Sequence, residues 1–125
     1  MISFCMLLLV LQVKHLVCDY FLQGQYMLGK FKLFPDYILP LLAHSAVHGV
    51  TMAGIALLWG YDHFVLMGLL DLITHFVVDR VKASPKLLGR WKPDNKYFWW
   101  ALGVDQYCHH AIAIAMALWI VGFRL

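Results

Sequence analysis

Long apolar stretches alternate with short polar connections along this chain of 125 residues. Apolar side chains dominate four segments, which run from about 2–22, 37–60, 63–81 and 98–123. Each is close to the roughly 20 residues that a helix needs to cross a bilayer. Gly24, Gly29 and Pro35 end the first segment's pattern, and a Gly-Tyr-Asp turn at 60–62 separates the second segment from the third. The pattern predicts an all-α integral membrane protein, a single domain built as a bundle of four transmembrane helices.

Composition and charge support a membrane protein and suggest an orientation. The chain is 62% hydrophobic and 14% charged, with a formal net charge of +3. Its basic residues concentrate in the connections after the first and third segments, and the turn at 60–62 has none. The positive-inside rule predicts that these two connections are cytoplasmic and that both termini face the other side, as expected in a bacterial inner membrane. The N-terminus has no basic residue or cleavage site, so we expect the first span to be retained.

Pairs of His and Asp spaced four residues apart occur in every apolar segment. Residues four apart share one face of a helix, so each pair points in a single direction. Ionisable groups are expensive inside a bilayer and mark functional sites there. The paired residues are His15, Asp19, His44, His48, Asp71, His75, Asp79, Asp105 and His109.

The pairs are also predicted to lie at one depth. His15, His44, His75 and Asp105 each lie about six or seven residues from the end predicted to be cytoplasmic, which is roughly 10 Å along a helix. His48 and His109 lie about one turn deeper, and Asp19 and Asp79 about one turn nearer the cytoplasm. The four segments therefore predict one polar layer in the cytoplasmic half of the bundle.

A divalent metal is the leading interpretation of this layer. Four ionised Asp residues in a low-dielectric bundle need compensation, which two divalent cations would supply. Nine candidate ligands exceed the four of a tetrahedral zinc site, so we predict two ions, or one whose His ligands are oriented by Asp. Zinc is expected first, with manganese or iron as alternatives. Two other interpretations are interhelical hydrogen bonds and ion pairs assisted by Lys14 and Arg80, and a proton or ion pathway without a fixed metal.

Other His and Cys residues are weaker candidates. His63 lies beside the opposite connection, and His110 points about 100° away from His109 on a helix. The cysteines Cys5, Cys18 and Cys108 form no CxxC pair, which argues against a disulfide framework or a zinc ribbon. Two of them, Cys18 and Cys108, adjoin candidate ligands and are possible soft ligands.

The order of the motifs resembles that of a known family. HLVCDYFLQ in the first segment, HSAVH in the second, DLITHFVVDRVK in the third and DQYCHH in the fourth are similar to motifs of small bacterial and phage membrane proteins grouped as a domain of unknown function. The resemblance covers nearly the whole chain and implies an HxxxD, HxxxH, DxxxHxxxD, DxxxH set. The arrangement is more loosely similar to inner-membrane proteins predicted to be metal-dependent hydrolases. DQYCHH is also similar to the HxxHH boxes of membrane di-iron oxygenases, with Asp in place of the first His.

These features predict a metal-dependent hydrolase that acts on a lipid-linked ester or phosphoester at the cytoplasmic leaflet. A metal-activated water would attack the substrate, and Asp79 or Asp19 would relay protons. Arg80 and Lys82 would attract an anionic lipid head group, although basic connections also determine topology.

The alternatives are a divalent-metal or proton transporter and a membrane di-iron redox protein. Transport is less favoured because the outer part of the fourth segment, 111–121, is almost wholly apolar. The short basic cluster does not favour nucleic-acid binding, and the oligomeric state stays open.

Overall fold

The computed structural model describes residues 2–122, and every regular element within that range is helical. The four long helices are α1 (Ile2–Leu16), α2 (Ile38–Leu58), α3 (Phe64–Ala83) and α4 (Lys96–Gly122). A π-helical turn, Val17–Phe21, extends α1 without a break, and short 3₁₀ helices lie in the two long connections at Gln25–Phe31 and Leu88–Arg90. The predicted all-α class is confirmed. Phe123, the predicted end of the fourth span, lies outside the described residues.

Three of the helices are long and apolar enough to cross a membrane, namely Ile2–Phe21, Ile38–Leu58 and Lys96–Gly122. The predicted third span forms α3, which has a similar length of 20 residues but is not among these three. Its four charged side chains account for the difference in hydropathy. They are Asp71, Asp79, Arg80 and Lys82.

Helices α2 and α3 form a closely packed hairpin. Its turn contains Gly60, whose φ of 74° lies in the left-handed region that suits glycine. Farther from the turn, a Cβ atom on Gly49 would lie 2.7 Å from the carbonyl oxygen of Gly68, and one on Gly68 would lie 2.7 Å from that of Gly49. Small residues at both positions therefore let the two backbones approach each other, as is common between membrane helices. The approach brings the His and Asp residues of α2 and α3 within reach of one another.

The bundle divides along its length into an apolar half and a polar half. The apolar half lies toward the 60–62 turn and is built mainly from buried side chains of all four helices: Leu7, Leu11, Met52, Ala56, Tyr61, Met67, Met116, Ala117 and Ile120. The polar half lies toward the two basic connections and contains the buried His and Asp side chains. Large apolar side chains such as Ile2, Val50 and Leu58 are exposed on the outside. An exposed apolar surface around a buried polar centre is typical of membrane proteins.

Candidate metal centre

All nine predicted ligand residues lie in the polar half. His44 and His48 on α2 are fully buried, and so are the candidate ligands of α3 and α4, apart from a small exposed fraction. His15 and Asp19 of the first helix are slightly more exposed. The arrangement brings side chains from every long helix into one cluster, as their common depth predicted.

Four imidazoles surround the carboxylate of Asp19. Its Oδ1 atom lies 3.0 Å from Nε2 of His48, 3.3 Å from Nε2 of His44 and 3.6 Å from Nε2 of His75. Its Oδ2 atom lies 3.1 Å from Nε2 of His15. One carboxylate on the first helix thus brings together imidazoles from α1, α2 and α3.

The π-helical turn carries Asp19 to this position. The amide of Leu22 donates to the carbonyl oxygen of Val17 at 2.9 Å, a bond that spans five residues instead of the four of an α-helix. One wide turn shifts the residues within it relative to the α-helical stripe. Single π turns are frequent at functional sites, and this one contains the carboxylate at the middle of the cluster.

A second group of ligand atoms lies beside the first. Nε2 of His109 is 3.2 Å from Oδ1 of Asp79 and 3.4 Å from Oδ1 of Asp105. His75 connects the two groups, because its Nε2 atom is 3.6 Å from Oδ1 of Asp79 as well as from Asp19. Its ring also stacks on that of His48, with centroids 3.5 Å apart, and lies 4.3 Å from that of His109. The imidazoles form a continuous row through the bundle.

Three sets of ligand atoms in the described part of the chain are compact enough to surround a metal ion, with all atoms of a set within 4.8 Å of one another. The first set combines three imidazoles with a carboxylate, the second has imidazoles only, and the third combines two carboxylates with one imidazole. Their members are Asp19, His44, His48 and His75; His15, His75 and His109; and Asp79, Asp105 and His109. Asp71 belongs to none of them.

The first set has the composition and spacing of a zinc site. Tetrahedral zinc binds imidazole nitrogens and carboxylate oxygens at ~2.0–2.2 Å, which places neighbouring ligand atoms about 3.4 Å apart. The three imidazole nitrogens lie 3.0, 3.3 and 3.6 Å from Oδ1 of Asp19. Both ring nitrogens of His44 and Nε2 of His75 are buried without a hydrogen-bond partner. A buried polar atom without a partner costs about 1–3 kcal/mol, which a bound cation would relieve at one nitrogen of each ring.

Lysine side chains pair with three of the four buried carboxylates. Lys14 forms an ion pair with Asp71. Nζ of Lys30 lies 2.7 Å from Asp79 and Nζ of Lys82 lies 2.9 Å from Asp105. Among residues 2–122, Asp19 has only imidazole partners.

The lysines change the charge balance that the sequence suggested. Four buried carboxylates and three ammonium groups leave a charge of −1 in the cluster if the imidazoles are neutral. The expectation of two divalent cations rested on four uncompensated charges. Since a single carboxylate lacks a cationic partner, one divalent ion beside Asp19 would be enough to offset the remaining negative charge.

Lys30 is the residue that sequence reasoning missed. It lies in the 25–31 helix, is only 8% exposed, and donates to Gln23 and Asp79, each at 2.7 Å. In the sequence it is one of the basic residues of the connection after the first segment. Because its partner Asp79 is 49 residues away, no local spacing signals the contact.

The two predicted head-group residues have different surroundings. Nη1 of Arg80 donates to the backbone carbonyl oxygens of Lys30 and Lys32, at 3.2 and 3.1 Å, and the guanidinium lies 3.5 Å from the ring centroid of Tyr37. Arg80 therefore fastens the first connection to α3. Lys82 keeps 29% of its side chain exposed while it contacts Asp105.

The weaker candidates lie at the edges or outside the cluster. His63 is exposed near the 60–62 turn, where its ring lies 5.8 Å from that of Tyr61. His110 is exposed, although its ring centroid is 5.8 Å from that of His15. All three cysteines are free, and the Sγ atom of Cys18 lies 3.5 Å from Oγ1 of Thr51. None of these side chains belongs to the three compact ligand sets.

Comparison with known proteins gives one match, at the level of a family. No curated protein and no solved structure matches the chain. A family described as "Protein of unknown function (DUF3307)" matches residues 6–124, which is nearly the whole sequence and contains every motif of the cluster. The chain therefore belongs to the DUF3307 family.

Proposed function

We propose that this protein is a metal-dependent membrane hydrolase that acts on a lipid-linked ester or phosphoester. The observation that carries the proposal is the convergence of His44, His48 and His75 on the carboxylate of Asp19, inside an otherwise apolar bundle. A purely structural polar cluster would pair its imidazoles with hydrogen-bond partners. Here several buried ring nitrogens have none, which favours a cation as their partner.

In this proposal α3 is a fourth membrane span. Its most exposed residues are all apolar, and five of them form a stripe with a spacing of four: Val65, Leu69, Ile73, Val77 and Val81. Its carboxylates point inward, where Asp71 and Asp79 pair with lysines. Charges that face the interior and are paired are compatible with a spanning helix. The positive-inside rule then places both basic connections and the metal centre in the cytoplasmic half of a bacterial inner membrane.

We assign one ion, with zinc as the first expectation and manganese or iron as alternatives, to Asp19, His44, His48 and His75. With the single net negative charge of the cluster, one divalent ion leaves a local charge of +1, which suits a hydroxide or an anionic substrate. Coordination through Nε2 places the proton of a neutral His48 on Nδ1. The Nζ atom of Lys14 lies 3.3 Å from that Nδ1. A protonated Nδ1 cannot accept a hydrogen bond, so Lys14 then pairs with Asp71 alone.

A divalent ion at this position would lower the pKa of a bound water toward neutrality and polarise the scissile ester. A cavity of about 20 Å³ lies next to the imidazoles of His15, His75 and His109, on the side of Lys14 and Asp71. This volume holds one water molecule, and the polar side chains around it supply its hydrogen-bond partners.

Asp79 is the better candidate for the proton relay, because it contacts three imidazoles, among them that of His44 at 3.4 Å from Oδ2, and an ammonium group. Its Oδ1 faces His75 and His109, and its Oδ2 accepts from Lys30. Asp19, by contrast, is engaged as the carboxylate ligand. In this assignment a proton would pass from the water to the imidazole of His109 and on to Asp79, whose carboxylate Lys30 holds in place, and would return by the same path to the leaving alkoxide.

The apolar half supports hydrolysis over transport. A transporter needs polar groups that continue across the membrane. Beyond the imidazoles, the described interior consists of apolar side chains such as Leu7, Met52, Met116 and Ile120. The centre therefore has polar surroundings on one side of the membrane only.

Metal content tests the proposal. We expect the purified full-length chain in detergent to retain one zinc ion, His44→Ala to lose it, and His63→Ala, a matched change outside the cluster, to keep it. The loaded protein should then hydrolyse lipid phosphates or lipid-linked esters, and Asp79→Asn should slow turnover by at least ~100-fold while retaining metal. Retained iron with no hydrolysis would favour di-iron redox chemistry. A metal-free protein in which these changes only lower stability would contradict the proposal.

A further inference from the structure

A cleft between α3 and α4 leads from the outer surface to the polar cluster. It consists of two adjoining cavities, of about 210 and 250 Å³, that share Lys82 and Leu88 in their walls. The wall of the first cavity also includes Val81, Val104 and Asp105. We call these two cavities the α3–α4 cleft.

Charged groups are few in this cleft and lie at its junction. Valine side chains of α3 and α4 line the first cavity, and the second is lined mainly by aromatic and aliphatic side chains around the 88–90 helix. The charged residues in the two linings are Lys82 and Asp105, whose side chains lie 2.9 Å apart. Asp105 is buried and paired, whereas Lys82 retains exposed surface. The cleft therefore offers apolar walls and one partly exposed lysine side chain.

Asp105, in the wall of the cleft, contacts the imidazole row of the polar cluster. Oδ1 of Asp105 is buried without a hydrogen-bond partner and lies 3.4 Å from Nε2 of His109. That nitrogen lies 3.2 Å from Asp79. A molecule whose charged group rests at Lys82 would thus be separated from the imidazole row by one buried carboxylate, that of Asp105.

Another side of the cluster is covered by the first connection. Lys30 is buried against Asp79, and Arg80 holds the backbone of this connection through two carbonyl oxygens. Gly29 packs so closely on Pro40 that a Cβ atom would lie 2.7 Å from its side chain. These contacts close the α2–α3 side and leave the α3–α4 cleft as a lateral approach from the lipid phase.

We propose that the α3–α4 cleft binds one anionic phospholipid from the bilayer. An acyl chain lies against Val81 and Val104, and the phosphate rests on Lys82. The apolar walls favour an acyl chain over a polar ligand, and Lys82, together with the other basic residues of its connection, favours an anionic head group over a zwitterionic one. Lys82 takes this role rather than Arg80, whose guanidinium is engaged with backbone oxygens and Tyr37. That this lipid is the substrate rests on the proposed function, whereas its binding does not.

Native mass spectrometry of the full-length chain in detergent tests the proposal, with phosphatidylglycerol and phosphatidylcholine as competing probes. We expect one saturable phosphatidylglycerol per chain. Lys82→Gln should weaken its retention about fivefold, as removal of one basic group near a phosphate predicts. Lys86→Gln, which removes an exposed charge from the same connection, should have little effect.

A second pair of variants tests the acyl-chain position without altering charge. Val104→Trp should fill the cleft and displace the lipid, and Val13→Trp, at a similarly exposed position on α1, should not. If phosphatidylcholine competes equally and all four variants retain lipid alike, the bound molecules are annular lipid only and the proposal is overturned. If Lys82→Gln does not fold, Lys82→Arg with retained lipid and Val104→Trp with lost lipid support it, and retention in Val104→Trp overturns it.

The same variants separate this proposal from the proposed function. Lipid binding is measured before and after treatment with a chelator, and metal content is measured in parallel. Retained metal with non-selective lipid binding overturns the cleft alone. Selective lipid binding to a chain that never retains metal overturns the hydrolase and leaves the cleft in place.

Discussion

The apolar and polar halves of the bundle are built from the same helices but are stabilised differently. In the apolar half, side chains such as Leu7, Met67 and Ile120 fill space, and each contributes through contacts with many neighbours. In the polar half, each buried charge depends on a particular partner, as Asp79 depends on Lys30. A change in the apolar half therefore affects stability alone, whereas a change in the polar half also affects chemistry. The predictions below test this separation, in order of decreasing effect.

The largest expected effect is on the stability of the polar half. Lys30→Met removes the ammonium group from buried Asp79 and should destabilise the protein by about 3–5 kcal/mol, the range for breaking a buried ion pair. Lys32→Met, an exposed position in the same connection, is the control. The midpoint of thermal unfolding in detergent measures both. Equal midpoints for the two variants would show that the buried ion pair does not stabilise the fold more than an exposed lysine does.

In the apolar half, Leu7→Ala should destabilise the protein by ~3 kcal/mol, because a fully buried leucine leaves a cavity. Leu9→Ala, on the exposed face of the same helix, should have a much smaller effect. Metal content should stay unchanged in both variants, since neither position touches the polar cluster. If Leu7→Ala lost more metal than folded protein, changes in the apolar half would affect the metal site as well as stability, contrary to this expectation.

The close approach of α2 and α3 affects both the stability of the bundle and the positions of the imidazoles. Gly49→Ala places a Cβ atom 2.7 Å from the carbonyl oxygen of Gly68, so the helices must separate. We expect a cost of ~1–3 kcal/mol, as for other overpacked positions, and a weaker metal affinity because His48 and His75 move apart. Gly54→Ala, where a Cβ atom meets nothing within 4 Å, is the matched control. Unchanged metal affinity in Gly49→Ala would show that the cluster does not depend on this close approach.

The smallest effect is expected from the first connection. Arg80→Gln removes the hydrogen bonds to the backbone of Lys30 and Lys32 and should lower stability by about 1 kcal/mol. Retention of an anionic lipid should be unaffected, in contrast to Lys82→Gln. If Arg80→Gln releases the lipid as strongly as Lys82→Gln does, then the head group lies at the first connection and not in the α3–α4 cleft.

Patterns within single helices could be predicted from the sequence. The apolar runs gave the positions of the four helices, because hydropathy and the turn at 60–62 act locally. The spacing of four placed His44 above His48 and Asp71 above His75, each pair on one face. The shared depth of the pairs followed from alternating helix directions, and it brought the predicted ligands into one half of the bundle.

Contacts between helices could not be predicted in this way. A spacing of four defines a face of a helix but not the side chains that this face contacts. The sequence therefore predicts both Asp71 and Asp19 as metal ligands, although Asp71 pairs with Lys14, 57 residues away. The π turn that positions Asp19 also has no sequence signal in this chain. The burial of Lys30 depends on how the first connection folds back over α2 and α3, which no local pattern encodes.

The number and ligands of the bound metal test the central claim most directly. X-ray absorption and elemental analysis of the purified chain should give one zinc ion with three imidazole ligands and one carboxylate, at ~2.0–2.2 Å. Asp19→Asn should weaken zinc binding by at least ~100-fold, and Asp36→Asn, an exposed change in the first connection, should not. Two ions per chain, no metal, or full zinc binding in Asp19→Asn would contradict the account.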